Sequence, residues 1–167
     1  IMKEFRNKVF STNGTSGIKK LIEDTSKKLL EIETDKNCKP LRVGIVGEIY
    51  TTIDTDTSFN IQERLGDMGV EVSRPVTISG WIIEHILKGS LHLPRDLRYV
   101  EAAKPYLGAM IGGHAQETVG NTVLFAKDGY DGIIQIYPLT CMPEIVAESI
   151  LPTVERDCGI PVLTLII

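Results

Sequence analysis

Cysteine is scarce in this 167-residue chain, which contains only Cys38, Cys141 and Cys158. Three widely spaced cysteines cannot build a disulfide scaffold, and the absence of a CxxC pair means that this chain alone cannot supply a four-cysteine zinc site. A reducing, intracellular compartment suits this usage better than a secreted one. Disulfide-rich and zinc-ribbon classes are therefore excluded.

Long apolar runs are also missing. No stretch approaches the ~20 residues that cross a bilayer, and residues 1–5 do not begin the apolar core of a signal peptide. We therefore expect no membrane partner. The GxGxxG fingerprint and the GK[ST] ending of a Walker A loop are absent too. The chain starts without Met at position 1 and stops inside the apolar run 161–167, so we expect it to be part of a longer protein.

Positive charge is sparse outside the N-terminal segment. Residues 1–40 hold nine Lys/Arg against six Asp/Glu, whereas residues 41–167 hold nine against sixteen. In the first segment basic and acidic residues alternate along a helical pattern, which is typical of a solvated helix face. The acidic remainder argues against contact with a phosphate backbone, so we expect no nucleic-acid partner.

Hydrophobic residues make up 43% of the chain, enough for the core of one domain. Apolar residues over 18–32 recur at helical spacing and predict an amphipathic helix. The composition of residues 11–17 predicts a loop, and 34–40 reads as a linker. We therefore divide the chain into an N-terminal helical segment and linker, 1–40, and an α/β domain, 41–167.

Four short apolar runs in the second part have the pattern of buried strands, and helical patterns lie between them. The predicted strands are 41–46, 70–72, 132–137 and 161–167; the predicted helices lie near 60–68, 79–89, 94–106, up to 127, and 143–157. Alternating strands and helices predict a mostly parallel sheet with right-handed connections and helices on both faces. The expected fold is a three-layer, Rossmann-like α/β domain of about four strands, preceded by the N-terminal helix.

Chemistry-bearing side chains come at the ends of the predicted strands. Glu48 follows the first strand, Cys141 follows the third, and Gly113 and His114 lie in a glycine-rich turn ahead of a helix. Because the carboxyl ends of parallel strands meet at one edge of a sheet, we expect these residues to face one crevice.

Cys141 is the most informative of these residues. Its predicted position, between a strand end and a helix N-terminus, is one where backbone N–H groups and the helix dipole favour a thiolate. A cysteine in this position is a candidate metal or cluster ligand, or a nucleophile. It is also explained as a small apolar residue that fills space.

The other crevice residues have two interpretations each. Gly113 lets backbone amides approach an anion, or simply permits a tight turn with positive φ. His114 is a base or ligand, or a residue that caps or packs at a helix start. Glu48 is a ligand, or hydrogen-bonds a neighbouring loop.

Three motifs carry a family resemblance: Gly47-Glu48-Ile49-Tyr50, then GHAQETVG at 113–120, and YPLTCMPE at 137–144. Over residues 41–167 the chain resembles the 2-hydroxyacyl-CoA dehydratase D-component-like family. The likeness is to its activase-related branch, the domain associated with CoA-substrate-specific enzyme activases. The Pro-x-x-Cys-Met-Pro pattern around Cys141 is the most specific part of the likeness.

The resemblance implies a cytoplasmic protein of an anaerobic bacterium, with Rossmann-like subdomains that hold a 4Fe–4S cluster between them. In dehydratase members the cluster passes one electron to a 2-hydroxyacyl-CoA thioester, and the ketyl radical then loses its hydroxyl as water. Cys141 would be one cluster ligand. The implied partners are another subdomain or subunit, an ATP-dependent activator protein and an acyl-CoA.

The chain departs from the family pattern in its other cysteines, because Cys38 and Cys158 do not match the motif. The leading hypothesis is therefore a domain that contributes Cys141 to a cluster completed elsewhere, in a radical lyase if it is an enzyme. One alternative is a non-catalytic binding or assembly module with a structural Cys141. A second is a cysteine-nucleophile enzyme with His114 as its base.

Overall fold

The computed structural model describes residues 1–35, 37–83, 86, 90 and 96–167. The chain forms two compact units, Ile1–Lys39 and Pro40–Ile167. Among the described residues, no helix has both the length and the apolarity needed to cross a bilayer.

The N-terminal unit is a pair of helices, α1 (Met2–Ser11) and α2 (Gly14–Leu30). Neither helix contains a fully buried residue. The predicted loop over 11–17 is wrong in extent, because only Thr12 and Asn13 separate the helices. Small polar residues that suggest a loop are also common around helix starts, and here residues 14–17 form the first turn of α2.

The second unit is built on a four-stranded sheet whose neighbouring strands all pair in parallel, in the order β2-β1-β3-β4. The strands are β1 (Arg42–Gly47), β2 (Glu71–Ser73), β3 (Gly132–Tyr137) and β4 (Val162–Ile166). The predicted three-layer, Rossmann-like α/β fold is confirmed.

The helices of the second unit lie between the strands in sequence. Those within the described residues are α3 (Ile49–Ile53), α4 (Ile61–Asp67), α5 (Ile78–Ile82), α6 (Arg98–Ala103), α7 (Ala115–Lys127) and α8 (Met142–Cys158). The helices expected over 79–89 and 94–106 fall partly on positions between 84 and 95 that lie outside the described residues. The short helix α3 follows β1 at residues where the sequence predicted no helix.

Alternate side chains of the central strands enter two apolar clusters. On one face Val46 and Ile133 pack with Phe125 of α7 and with Ile160. On the other face Ile45, Ile134 and Ile136 pack with α4. Because successive side chains of a strand point to opposite faces, residues 45/46 and 133/134 divide between the two layers.

Gly47 shapes the carboxyl end of β1. Its φ is +130°, a conformation that side chains disfavour, and a Cβ there would lie 2.0 Å from the carbonyl oxygen of Ile136. The close approach lets the N–H of Glu48 donate to that carbonyl at 3.0 Å. The chain therefore leaves β1 tightly against β3.

The order of the strands creates the crevice. From β1 the chain moves to β2 on one side, whereas β3 and β4 lie on the other side. In open parallel sheets, ligands bind outside the carboxyl ends of the strands at this kind of reversal. The segments after β1 and β3 thus flank the topological switch point.

Candidate functional site

Glu48 begins the wall of the crevice at the end of β1. Its two carboxylate oxygens accept hydrogen bonds from the N–H groups of Tyr50, at 3.0 Å, and Thr51, at 2.9 Å. This is a helix N-cap, and it satisfies two of the donors that a helix start leaves free. The hydroxyl of Thr51 donates to the carbonyl of Ile136 at 3.2 Å, which fastens α3 to β3. The described contacts of Glu48 are therefore those of a cap.

Cys141 lies across the switch point, at the start of α8. A turn after β3 is closed by the N–H of Cys141, which donates to the carbonyl of Pro138 at 2.9 Å. Cys141 is then the N-cap residue of α8, with Pro143 in the first turn and no side-chain capping bond. Its side chain is half-buried. The thiol is thus held at the N-terminus of a helix of 17 residues.

The glycine-rich turn lies against the same helix start. Gly112 and Gly113 both have positive φ, +86° and +56°, and a Cβ on Gly113 would lie 2.7 Å from Cγ of Pro143. These glycines are therefore explained by the turn and by its close approach to α8. His114 is the N-cap residue of α7, again without a side-chain capping bond. The turn that carries Gly113 and His114 thus adjoins the segment that carries Cys141.

The electrostatic surroundings of Cys141 oppose a free thiolate. Burial raises the pKa of the Cys141 thiol, the backbone N–H of Glu144 partly offsets this, and the carboxylates of Glu144 and Glu48 raise the pKa further. The backbone N–H at the helix start lowers the thiol pKa, as expected, but the net direction of the pKa in the free protein is upward. Desolvation and the two acidic neighbours outweigh that backbone hydrogen bond.

Glu144, in the first turn of α8, is a site residue that the sequence reasoning did not single out. It is fully buried, and Thr118 Oγ1 lies 2.9 Å and 3.1 Å from its two carboxylate oxygens. Gln135 Nε2 donates to one of those oxygens at 2.9 Å and to the main-chain carbonyl of Glu144 at 3.1 Å. Burial raises the pKa of Glu144, and these hydrogen bonds reduce the shift without cancelling it.

The hydrogen bonds continue through the sheet. Gln135 Oε1 accepts from the hydroxyl of Thr164 at 3.0 Å, so a polar chain joins β4, β3, α8 and α7. Nearby, the Tyr137 hydroxyl donates to Glu148, and burial raises the pKa of Tyr137 to about 12. One feature of the sequence could have revealed this polar chain. Gln135 is a polar residue inside an apolar strand, and a buried amide needs hydrogen-bond partners.

Within the second unit, Cys158 lies far from Cys141. Cys158 ends the same helix, which at ~1.5 Å per residue places it about 25 Å away along the axis. Its sulfur lies 3.9 Å from the Tyr106 hydroxyl. Cys38 is exposed and belongs to the N-terminal unit. In the part of the chain that the structure describes, no three His, Cys, Asp or Glu residues group so as to hold a metal ion.

No family model, curated protein or solved structure matches this chain. Its function must therefore be argued from the crevice. The structure places Glu48, Cys141 and the turn with Gly113 and His114 around the carboxyl edge of the sheet. It also places the buried Glu144 there, in the first turn of α8.

Proposed function

We propose that this chain is a domain of an iron–sulfur protein of the 2-hydroxyacyl-CoA dehydratase type. In this proposal Cys141 provides one ligand of a 4Fe–4S cluster that another subdomain or subunit completes. The observation that carries the proposal is the position of Cys141, half-buried at the switch point of a parallel sheet. The resemblance around Pro138, Cys141 and Pro143 supports the same assignment.

The donor chemistry suits one ligand of a shared cluster. Iron–sulfur clusters are held by cysteine thiolates, and a bound metal deprotonates a coordinating thiol even where the surroundings oppose the thiolate. The raised pKa of the Cys141 thiol disfavours the alternative of a cysteine nucleophile, because a nucleophilic thiol is usually activated by a lowered pKa. A single thiol in the described crevice also implies that the remaining ligands come from outside it.

The residues of this chain would orient the ligand. Thr118, Gln135 and Glu144 tie the first turn of α8 to α7 and β3, and so fix the backbone that carries Cys141. When bound, the cluster supplies one-electron transfer to a 2-hydroxyacyl-CoA thioester. The proposal includes an ATP-dependent activator protein as electron donor and a cytoplasmic location in an anaerobe.

Replacing Cys141 tests the proposal. The full-length protein and its Cys141→Ser variant would be reconstituted anaerobically with iron and sulfide. Iron per chain and visible absorption would then be measured. Serine is a preferred N-cap residue, so the start of α8 should remain folded. We expect the variant to lose most of the iron and of the absorption.

Cys158→Ser is the matched control, because it removes a thiol from the other end of α8. This variant should keep the iron content of the parent protein. Equal iron in the parent and in Cys141→Ser would reject ligation by Cys141. A parent protein that takes up no cluster and whose Cys141 resists alkylation would favour the structural alternative instead.

A further inference from the structure

Arg74 lies at the carboxyl edge of the sheet, on the side of β1 away from β3. It directly follows β2, which ends at Ser73. Its Nη1 donates to the main-chain carbonyl of Thr52 at 2.6 Å. Because Thr52 belongs to α3, which follows β1, the side chain of Arg74 reaches across the carboxyl ends of β2 and β1.

The guanidinium of Arg74 is incompletely bonded. Its Nε is buried and has no hydrogen-bond partner, the only such side-chain atom in the described part of the chain. Among the ion pairs of the described residues, none neutralises Arg74. Burial alone lowers its pKa. Buried N–H groups without a partner are rare, so this one calls for an acceptor.

A group that accepts from Arg74 should carry negative charge. Guanidinium groups present a planar fork of donors that matches the oxygens of carboxylates and phosphates. The position borders the switch point between β1 and β3, where open α/β sheets bind their ligands. Since β2 and β3 flank β1, and neighbouring strands lie ~4.8 Å apart, the ends of β2 and β3 are about 10 Å apart. A small molecule can span that distance.

We propose that Arg74 binds the carboxylate or phosphate group of a small-molecule ligand at the carboxyl ends of β2 and β1. The proposal goes beyond the cluster assignment and stands without it. The competing explanation is that Arg74 only caps α3, because a cation beside Thr52 O satisfies a carbonyl near the end of that helix. A purely structural arginine would show no specific response to anions.

Two probes separate the two sources of an oxyanion: pyrophosphate for a phosphate group and malonate for a carboxylate. Binding of each to the full chain would be measured by calorimetry at constant ionic strength. We expect saturable binding of one probe, and the probe that binds identifies the group. Arg74→Gln should weaken that binding at least tenfold, and Arg74→Lys should weaken it less, because lysine keeps the charge without the fork.

Arg64→Gln is the control, because it removes a positive charge from the exposed side of α4 in the same unit. It should bind the probe as the parent does. A second measurement needs no altered chain: the Nε–H resonance of Arg74 in ¹⁵N-arginine-labelled protein should move with the bound fraction. Absence of saturable binding by both probes, or equal binding by the parent and Arg74→Gln, would overturn the proposal.

Discussion

The helices α2 and α8 have the same length, 17 residues, and opposite surroundings. Both are amphipathic, and neither N-cap residue uses its side chain as a cap. Yet α2 has no fully buried residue, whereas Glu144, Ala147, Leu151 and Val154 of α8 are buried. A one-sided distribution of apolar residues thus makes a helix amphipathic, but only a packed partner makes its apolar face a core.

The comparison also separates two uses of acidic residues. On the N-terminal unit, Glu4 forms exposed ion pairs with Lys8 and Lys28. On α8, Glu144 is buried against a hydroxyl and an amide. Exposed pairs contribute little to stability, whereas a buried carboxyl that lacks a cation is costly and has to be held by several hydrogen bonds. The acid on α8 is therefore the better marker of a site.

The largest difference in stability between the two helices is expected when one leucine in each is replaced by alanine. Leu151 of α8 is 2% exposed, and Leu29 of α2 is 41% exposed. Leu151→Ala should reduce the free energy of unfolding by about 2–5 kcal/mol, because it leaves a cavity. Leu29→Ala should cost less than ~1 kcal/mol, as expected for a half-exposed position. Amide hydrogen exchange reports the stability of each helix separately.

Equal losses in the two helices would mean that α2 is packed as tightly as α8 in solution. That result would contradict the difference in burial between the two helices. Leu151→Met, which nearly conserves volume, is the control for α8 and should cost less than about 1.5 kcal/mol.

An intermediate effect on stability is expected from the titration of the buried carboxyl group of Glu144. Because burial raises the pKa of Glu144 above its ordinary value of 4.5, the folded protein binds more protons than the unfolded chain between the two values. Stability should therefore fall as the pH rises from about 4.5 through the raised pKa. Glu144→Gln should remove this part of the decrease. Urea unfolding at a series of pH values measures it.

Glu23→Gln is the matched control, since it removes one exposed carboxylate from α2. A decrease with pH that is as steep in Glu144→Gln as in the parent protein would show that other groups cause it.

The smallest effect on stability is expected at exposed serines, where α2 and α8 should respond alike. Ser26 of α2 and Ser149 of α8 are both exposed. The hydroxyl of Ser149 donates a hydrogen bond to the carbonyl of Val146. Serine is less favourable than alanine inside a helix by roughly 0.5 kcal/mol. Ser26→Ala and Ser149→Ala should each stabilise their helix by about that amount in hydrogen exchange. A loss of stability in either variant would mean that the serine makes a stabilising contact despite its exposure.

Local sequence patterns were sufficient for most of the sheet. The strand expected over 132–137 has those bounds, and the strand expected over 161–167 spans Val162–Ile166. Both are apolar runs bounded by glycine or proline, which is a local signal. Helix α3 was not predicted, because Glu48 is not among the usual N-cap residues and Thr51 is anchored to Ile136, distant in sequence.

The site was predictable only in outline. The topology rule for parallel sheets placed Glu48 and Cys141 at one edge, and the charge of Glu48 does raise the pKa of Cys141. Arg74 and Glu144 were missed because their importance lies in burial. Within the described residues, Nε of Arg74 has no acceptor and the carboxyl of Glu144 forms no ion pair. Such features arise from tertiary packing, which periodicity and spacing do not report.

Gln135 has a consequence for the assembly of the sheet. It pairs in register with Thr164, whose hydroxyl is the partner of its amide oxygen. A slip of β4 by one residue would turn Thr164 to the opposite face and set a leucine against Gln135. The buried amide oxygen would then be left unbonded, at a cost of about 1–3 kcal/mol. A single polar contact between apolar strands thereby penalises every odd shift in the alignment of β4 with β3.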